Sequence, residues 1–70
     1  MENLISKTEV SRRMKMARVK AGMTQTDMAN ELGVSITTVR NWEKDPETVK
    51  LIRFKQYARA CGVPVAYFFT

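Results

Sequence analysis

A chain of 70 residues makes one small domain and not two, and with 44% apolar and 27% charged residues it has the composition of a folded protein rather than a disordered one. It has no histidine and one cysteine, Cys61, which excludes a zinc cluster, a cysteine–histidine nucleophile pair and an internal disulfide; no metal or other cofactor is expected. Twelve Lys and Arg against seven Asp and Glu leave +5, a balance that points to nucleic acid, acidic protein surfaces or anionic lipid.

The charge is uneven: residues 1 to 23 carry +4, residues 24 to 44 carry −1 and residues 45 to 70 carry +2. No apolar run approaches the roughly 18 residues that span a bilayer, and the N-terminus lacks a basic stretch followed by an apolar one. A soluble, cytoplasmic protein with no membrane partner is expected. No motif for catalysis is visible, so an enzyme is not expected.

Glycine and proline divide the chain into segments with helical periodicity. Ser6 to Glu9 has the spacing of a capping box, and Val10, Met14, Ala17 and Ala21 then fall on one stripe, with Arg12, Arg13, Lys15 and Lys20 away from it and Arg18 at its edge. Met16 lies opposite the stripe, open to a partner. Gly22 is placed to end this first helix.

Thr24, with Asp27 three residues later, reads as the cap of a second helix that buries Met28, Ala29 and Leu32 and stops at Gly33, where a positive φ is expected. Val34 packs back on that helix. Ser35 caps a third helix from Ile36 to Lys44, whose inward face is Val39 and Trp42; Thr37, Arg40, Asn41 and Lys44 point outward, with Ile36 and Glu43 on the flanks.

Asp45 to Thr48 reads as a loop. Leu51, Phe54, Tyr57, Ala58 and Cys61 then recur at helical spacing up to Gly62, with Cys61 in a buried apolar position. Pro64 suits the first turn of a short fifth helix, Val65 to Phe69, whose aromatic residues either close the core, the favoured reading, or stay partly exposed. The expected fold is all-α, a compact five-helix domain over residues 9–70 behind an N-terminal tail, residues 1–8.

The run from Arg18 to Glu43 resembles the helix-turn-helix of the phage repressor and Cro family, formed here by the second and third helices. That family asks for Gln at the start of the first of these helices (Gln25), a small residue at their crossing (Ala29), Gly in the turn (Gly33), an aliphatic residue after it (Val34), apolar anchors (Val39, Trp42) and a late Glu (Glu43). Tyr57 to Phe69 is similar to the family's fourth and fifth helices, so the resemblance runs from about Glu9 onward. It implies a DNA-binding transcriptional regulator with a double-stranded operator as partner.

Carried over position by position, the resemblance makes Ile36, Thr37 and Asn41, with Arg40 beside them, the residues that touch bases and Gln25 one that touches phosphate; Thr24, Ser35 and Lys44 are further phosphate candidates, and Arg40 suits a guanine edge or a phosphate. The chemistry agrees. Asn pairs with an adenine edge and Arg with a guanine edge, Ile and the Thr methyl pack on a thymine methyl, and helix N-termini favour phosphate at Thr24 and Ser35. The resemblance also implies a partly buried Arg18–Glu43 ion pair and a weak homodimer meeting around Val63, Pro64 and Phe69. A rival reading follows from the non-basic motif: a small phage anti-repressor or modulator that binds a co-encoded repressor protein, through the basic face of Arg12, Arg13 and Lys15.

Overall fold

The computed structural model describes residues 5–70; residues 1–4, half of the tail expected over 1–8, lie outside the described residues. Ser6 caps α1 (Lys7–Lys20), so Lys7 and Thr8 form its first turn. α2 is Gln25–Leu32, α3 is Ile36–Lys44 and α4 is Leu51–Cys61, with short 3-10 turns at Pro46–Thr48 and Val65–Phe69. No helix among the described residues is long and apolar enough to cross a membrane.

The helix starts follow their caps. The Ser6 hydroxyl accepts from the Glu9 backbone N–H at 3.1 Å, but the Glu9 carboxylate completes no box; it takes Arg12 and Arg13 instead. Thr24 and Asp27 form both halves of theirs. Ser35 accepts from the Thr38 N–H at 3.1 Å. Between α2 and α3 the chain reverses at Gly33, with φ of +69°, while the Val34 N–H returns to the Ala29 carbonyl. Any side chain at this left-handed position adds strain, which is why the turn requires glycine.

One apolar core joins the helices: Val10, Met14 and Ala17 from α1, Met28 and Ala29 from α2, Val39 and Trp42 from α3, and Phe54, Tyr57 and Ala58 from α4. Phe68 closes it, fully buried, with ring centroids 6.1 Å from Phe54 and 5.8 Å from Tyr57. Arg13 locks this closure from α1, donating to the Tyr67 carbonyl at 3.0 Å with its guanidinium over the Tyr67 ring.

Expectations change at several points beyond the tail and the Ser6 box: Ala21, expected on the inward stripe of the first helix, is exposed, and Leu32, expected to be buried, is half-buried. There are four α-helices and not five, because Val65–Phe69 is a 3-10 turn: five residues behind Pro64 leave little length for α-type bonds, and Tyr67 bonds back to Pro64 three residues away. Only Phe68 of the three terminal aromatics is buried, since consecutive residues cannot share one face. Leu51 is exposed, because the core begins one turn later at Phe54. Cys61 is half-buried rather than buried, and burial pushes its thiol up to about 11, which leaves it protonated and inert at neutral pH.

Truncating the plug should therefore be far costlier than truncating its neighbour. Phe68→Ala is expected to lose about 3 to 5 kcal/mol, much of what a domain of this size has, against about 1 kcal/mol for Phe69→Ala, which keeps one side in water. Urea titrations of the two variants check this; equal losses would refute the plug.

Candidate nucleic-acid interface

The orientation of α3 depends on a charge buried beneath it. Glu43 is 2% exposed, and Arg18, reaching from α1, meets it in a two-pronged contact: Nε to Oε2 at 2.7 Å and Nη2 to Oε1 at 3.1 Å. The remaining Arg18 nitrogen donates to the Met23 carbonyl at 2.8 Å. From α4 the Tyr57 hydroxyl donates to Glu43 Oε2 and lies 3.1 Å from the Met14 carbonyl oxygen. Ser11 bonds to the Glu43 backbone carbonyl.

Burial by itself would raise the Glu43 carboxyl; the Arg18 and Tyr57 hydrogen bonds and the Arg18 charge outweigh it and hold the group below its ordinary value. Tyr57, buried and facing that carboxylate, is raised well above the ordinary phenol range and stays a donor.

The pair also changes the electrostatics of the motif. Residues 24 to 44 sum to −1, but Glu43 is neutralised from α1, so the groups facing solvent are Arg40 and Lys44 against Asp27 and Glu31. The solvent-facing balance is zero rather than negative.

The candidate base readers stand on the outward side of α3. Thr37, Arg40 and Asn41 are exposed, while Ile36 is half-buried and packs partly against the core. Lys44 is exposed in the last turn, where a cation suits the helix dipole. Thr24 and Ser35 are exposed at the helix N-termini with their oxygens accepting cap bonds, and each hydroxyl also has a side-chain neighbour: Ser35 lies 3.0 Å from the Thr38 hydroxyl, and Thr24 bonds the Asp27 carboxylate. Asp27 occupies the Thr24 N–H at 2.9 Å, and that bond, with the one from the Thr24 side chain, keeps its carboxyl below the ordinary value. A phosphate docking at Thr24 therefore meets a carboxylate beside it.

Two contacts lay outside the reach of helical periodicity. The Gln25 amide bridges core and surface: Nε2 donates to Glu43 Oε1 at 3.3 Å, and Oε1 accepts from Arg40 Nε at 3.4 Å. The candidate phosphate residue thus holds one of the candidate base readers. Lys7, assigned to the tail by sequence, lies 3.4 Å from Asp45 and borders an open cleft of about 450 Å³ with Asn41, Lys44 and Thr48. At the C-terminal edge of α3 its charge is offset by Asp45. Among the described residues, no three His, Cys, Asp or Glu groups are placed to hold a metal ion.

The chain matches the helix-turn-helix family over residues 14–68, which includes the second half of α1 and the whole of α2, α3 and α4. It is 30% identical over 53 residues to the antitoxin HipB of Escherichia coli K12, covering 76% of this chain and 60% of that protein. The HipB of Escherichia coli O6:H1 matches equally, with 56% of its length covered. An uncharacterized HTH-type transcriptional regulator of Sinorhizobium medicae is 28% identical over 60 residues, 86% of this chain and 43% of that protein. The chain thus spans between 43% and 60% of the lengths of these relatives.

Removing Glu43 strands the Arg18 guanidinium in the core, and Glu43→Ala is expected to cost about 3 to 5 kcal/mol. An Arg18→Ala/Glu43→Ala cycle by urea denaturation should show strong coupling; coupling near zero would refute the role of the pair. Because the Glu43 carboxyl is lowered on folding, its contribution is complete above the ordinary value of 4.5 and is lost as pH falls through the folded value. Acid titration of Glu43→Gln should accordingly show a flatter loss of stability below pH 4.5 than the parent, with Glu9 and Asp27 supplying the slope that remains.

Proposed function

The chain belongs to the helix-turn-helix family, and on that footing we propose that it is a sequence-specific, DNA-binding transcriptional regulator of phage repressor or Cro type, working without catalysis or cofactor. The observation that carries the reading is the outward face of α3. Thr37, Arg40, Asn41 and Lys44 project together from a helix whose start is set by Ser35 and Gly33 and whose other side is anchored by Val39, Trp42 and the buried Glu43. A short, rigidly held helix with hydrogen-bonding side chains and no competing bulk fits a major groove.

In this reading Asn41 and Thr37, with Arg40 and Ile36, read base edges. Gln25, Thr24, Ser35 and Lys44 take the phosphates on either side, and Lys7 joins them at the C-terminal edge. Few cations face the duplex, so a single domain binds weakly and affinity comes from two half-sites about 34 Å apart. Phe69 and Pro64 are exposed and Val63 is half-buried, and these apolar side chains near the C-terminus supply the contact of a weak dimer.

Selection of bound sequences from a random duplex pool, followed by affinity measurement across salt, tests the reading. Asn41→Ala and Thr37→Ala should each cost about 1 to 3 kcal/mol at particular base pairs and relax preference there. Lys44→Ala should weaken every duplex alike and lower the salt slope by about one unit. A chain with no sequence preference even at low salt would overturn the proposal.

A further inference from the structure

α1 carries a second exposed face that DNA reading does not use. Its inward side holds Val10, Met14, Ala17 and Arg18. On the side away from the core, Arg12, Lys15, Met16, Val19 and Lys20 follow one another at positions i, i+3, i+4, i+7 and i+8, the spacing of a single stripe. Met16 is 41% and Val19 60% exposed, large apolar side chains on a helix otherwise rich in charge. Together with the stems of the three cations they line a shallow depression of about 280 Å³.

The side chains are arranged rather than scattered. Arg12 is ion-paired with Glu9 and also donates to Met16 Sδ at 3.2 Å, so its guanidinium lies against Met16 and is shared with its own carboxylate. Lys15 and Lys20 form no ion pair among the described residues. Arg13 does not belong to this face, because it is bound to Tyr67.

We propose that this face docks an acidic amphipathic helix of another protein, with Met16 and Val19 receiving its apolar side chains and Arg12, Lys15 and Lys20 pairing with flanking carboxylates. Charge complementarity selects the occupant. A second copy of this chain would bring the same three cations face to face, which disfavours it. A duplex would set phosphates against the apolar centre; of this face only Lys15, one turn from the Ser11 and Arg18 that touch Glu43, borders the α3 side of α1, while Arg12 and Met16 point away from it. An anionic bilayer is poorly served by two apolar side chains with no aromatic anchor. The docking geometry is that of a helix laid on a helix, read through i, i+3 and i+4 anchors.

The probe is a designed helical peptide with Leu at i, i+3, i+4 and i+7 flanked by Glu, compared with a scrambled peptide of identical composition. Fluorescence anisotropy should show the ordered peptide binding at least tenfold tighter than the scrambled one, and amide chemical shifts should move along Arg12 to Lys20 while those of α3 stay in place. Lys15→Glu/Lys20→Glu should reduce that affinity at least tenfold and Val19→Ser several-fold, with circular dichroism unchanged because all three positions are exposed.

Shifts that map to α3, equal binding of the scrambled peptide, or indifference to the charge reversal would overturn the proposal. So would a charge-reversed chain that loses duplex affinity yet keeps the peptide, or one that loses binding to phosphatidylserine vesicles yet keeps the peptide. Peptide binding and its charge dependence are read without a duplex, so this proposal and the DNA-reading proposal succeed or fail separately.

Discussion

A carboxylate in the middle of a 70-residue domain is expensive to bury, and the structure is organised around satisfying it. Each α-helix supplies one member of the group: Arg18 from α1, Gln25 from α2, Glu43 from α3 and Tyr57 from α4. A buried charge is tolerable only when paired and fully hydrogen-bonded, so the arrangement that meets the need of Glu43 also determines where four helices sit. A greasy residue at position 43 could fill the same space. It could not demand one particular donor from each neighbour.

This constraint matters most for α2 and α3. At eight and nine residues they are too short to persist as isolated helices in water, and their shape comes from caps and from packing. Gly33 permits the reversal, Ala29 allows close approach, and Val39 and Trp42 hold one side of α3 against the core. Glu43 adds a directional contact where apolar packing alone would let the helix roll. The outward face of α3 is thereby presented in one orientation, and the Gln25 amide extends the same network to Arg40 at the surface.

The two exposed faces differ in chemistry because the helices behind them differ in what they bury. α3 buries its apolar groups and its acid, leaving a polar outer side with side chains able to hydrogen-bond. α1 is longer than its share of the core requires and carries its surplus outward as cations around Met16 and Val19. Basic residues that looked equivalent along the chain have become distinct: Arg18 belongs to the core, Arg13 fastens the C-terminal turn, and Arg12, Lys15 and Lys20 remain on the surface.

The local code was readable from sequence. Cap residues at Ser6, Thr24 and Ser35, the glycine stops, and the periodicity of the first three helices depend on interactions within four residues, and these place the starts of α1, α2 and α3 and most of their inward faces, though Ala21 is exposed, Leu32 half-buried and Arg18 buried. The same spacing, with the resemblance it supports, placed Thr37, Arg40, Asn41 and Lys44 on the outside of α3. Contacts between distant segments were beyond it. Periodicity assigns a face but not a depth, so it put Leu51 in the core and could not single out Phe68 among three aromatics. Nor could it show that Arg13 would reach Tyr67, that Lys7 would arrive beside Lys44, or that Gln25 would bridge Glu43 and Arg40. Those positions are decided when helices pack, because long polar side chains take whichever partner the assembled surface brings within about 3 Å, and only tertiary structure sets that distance.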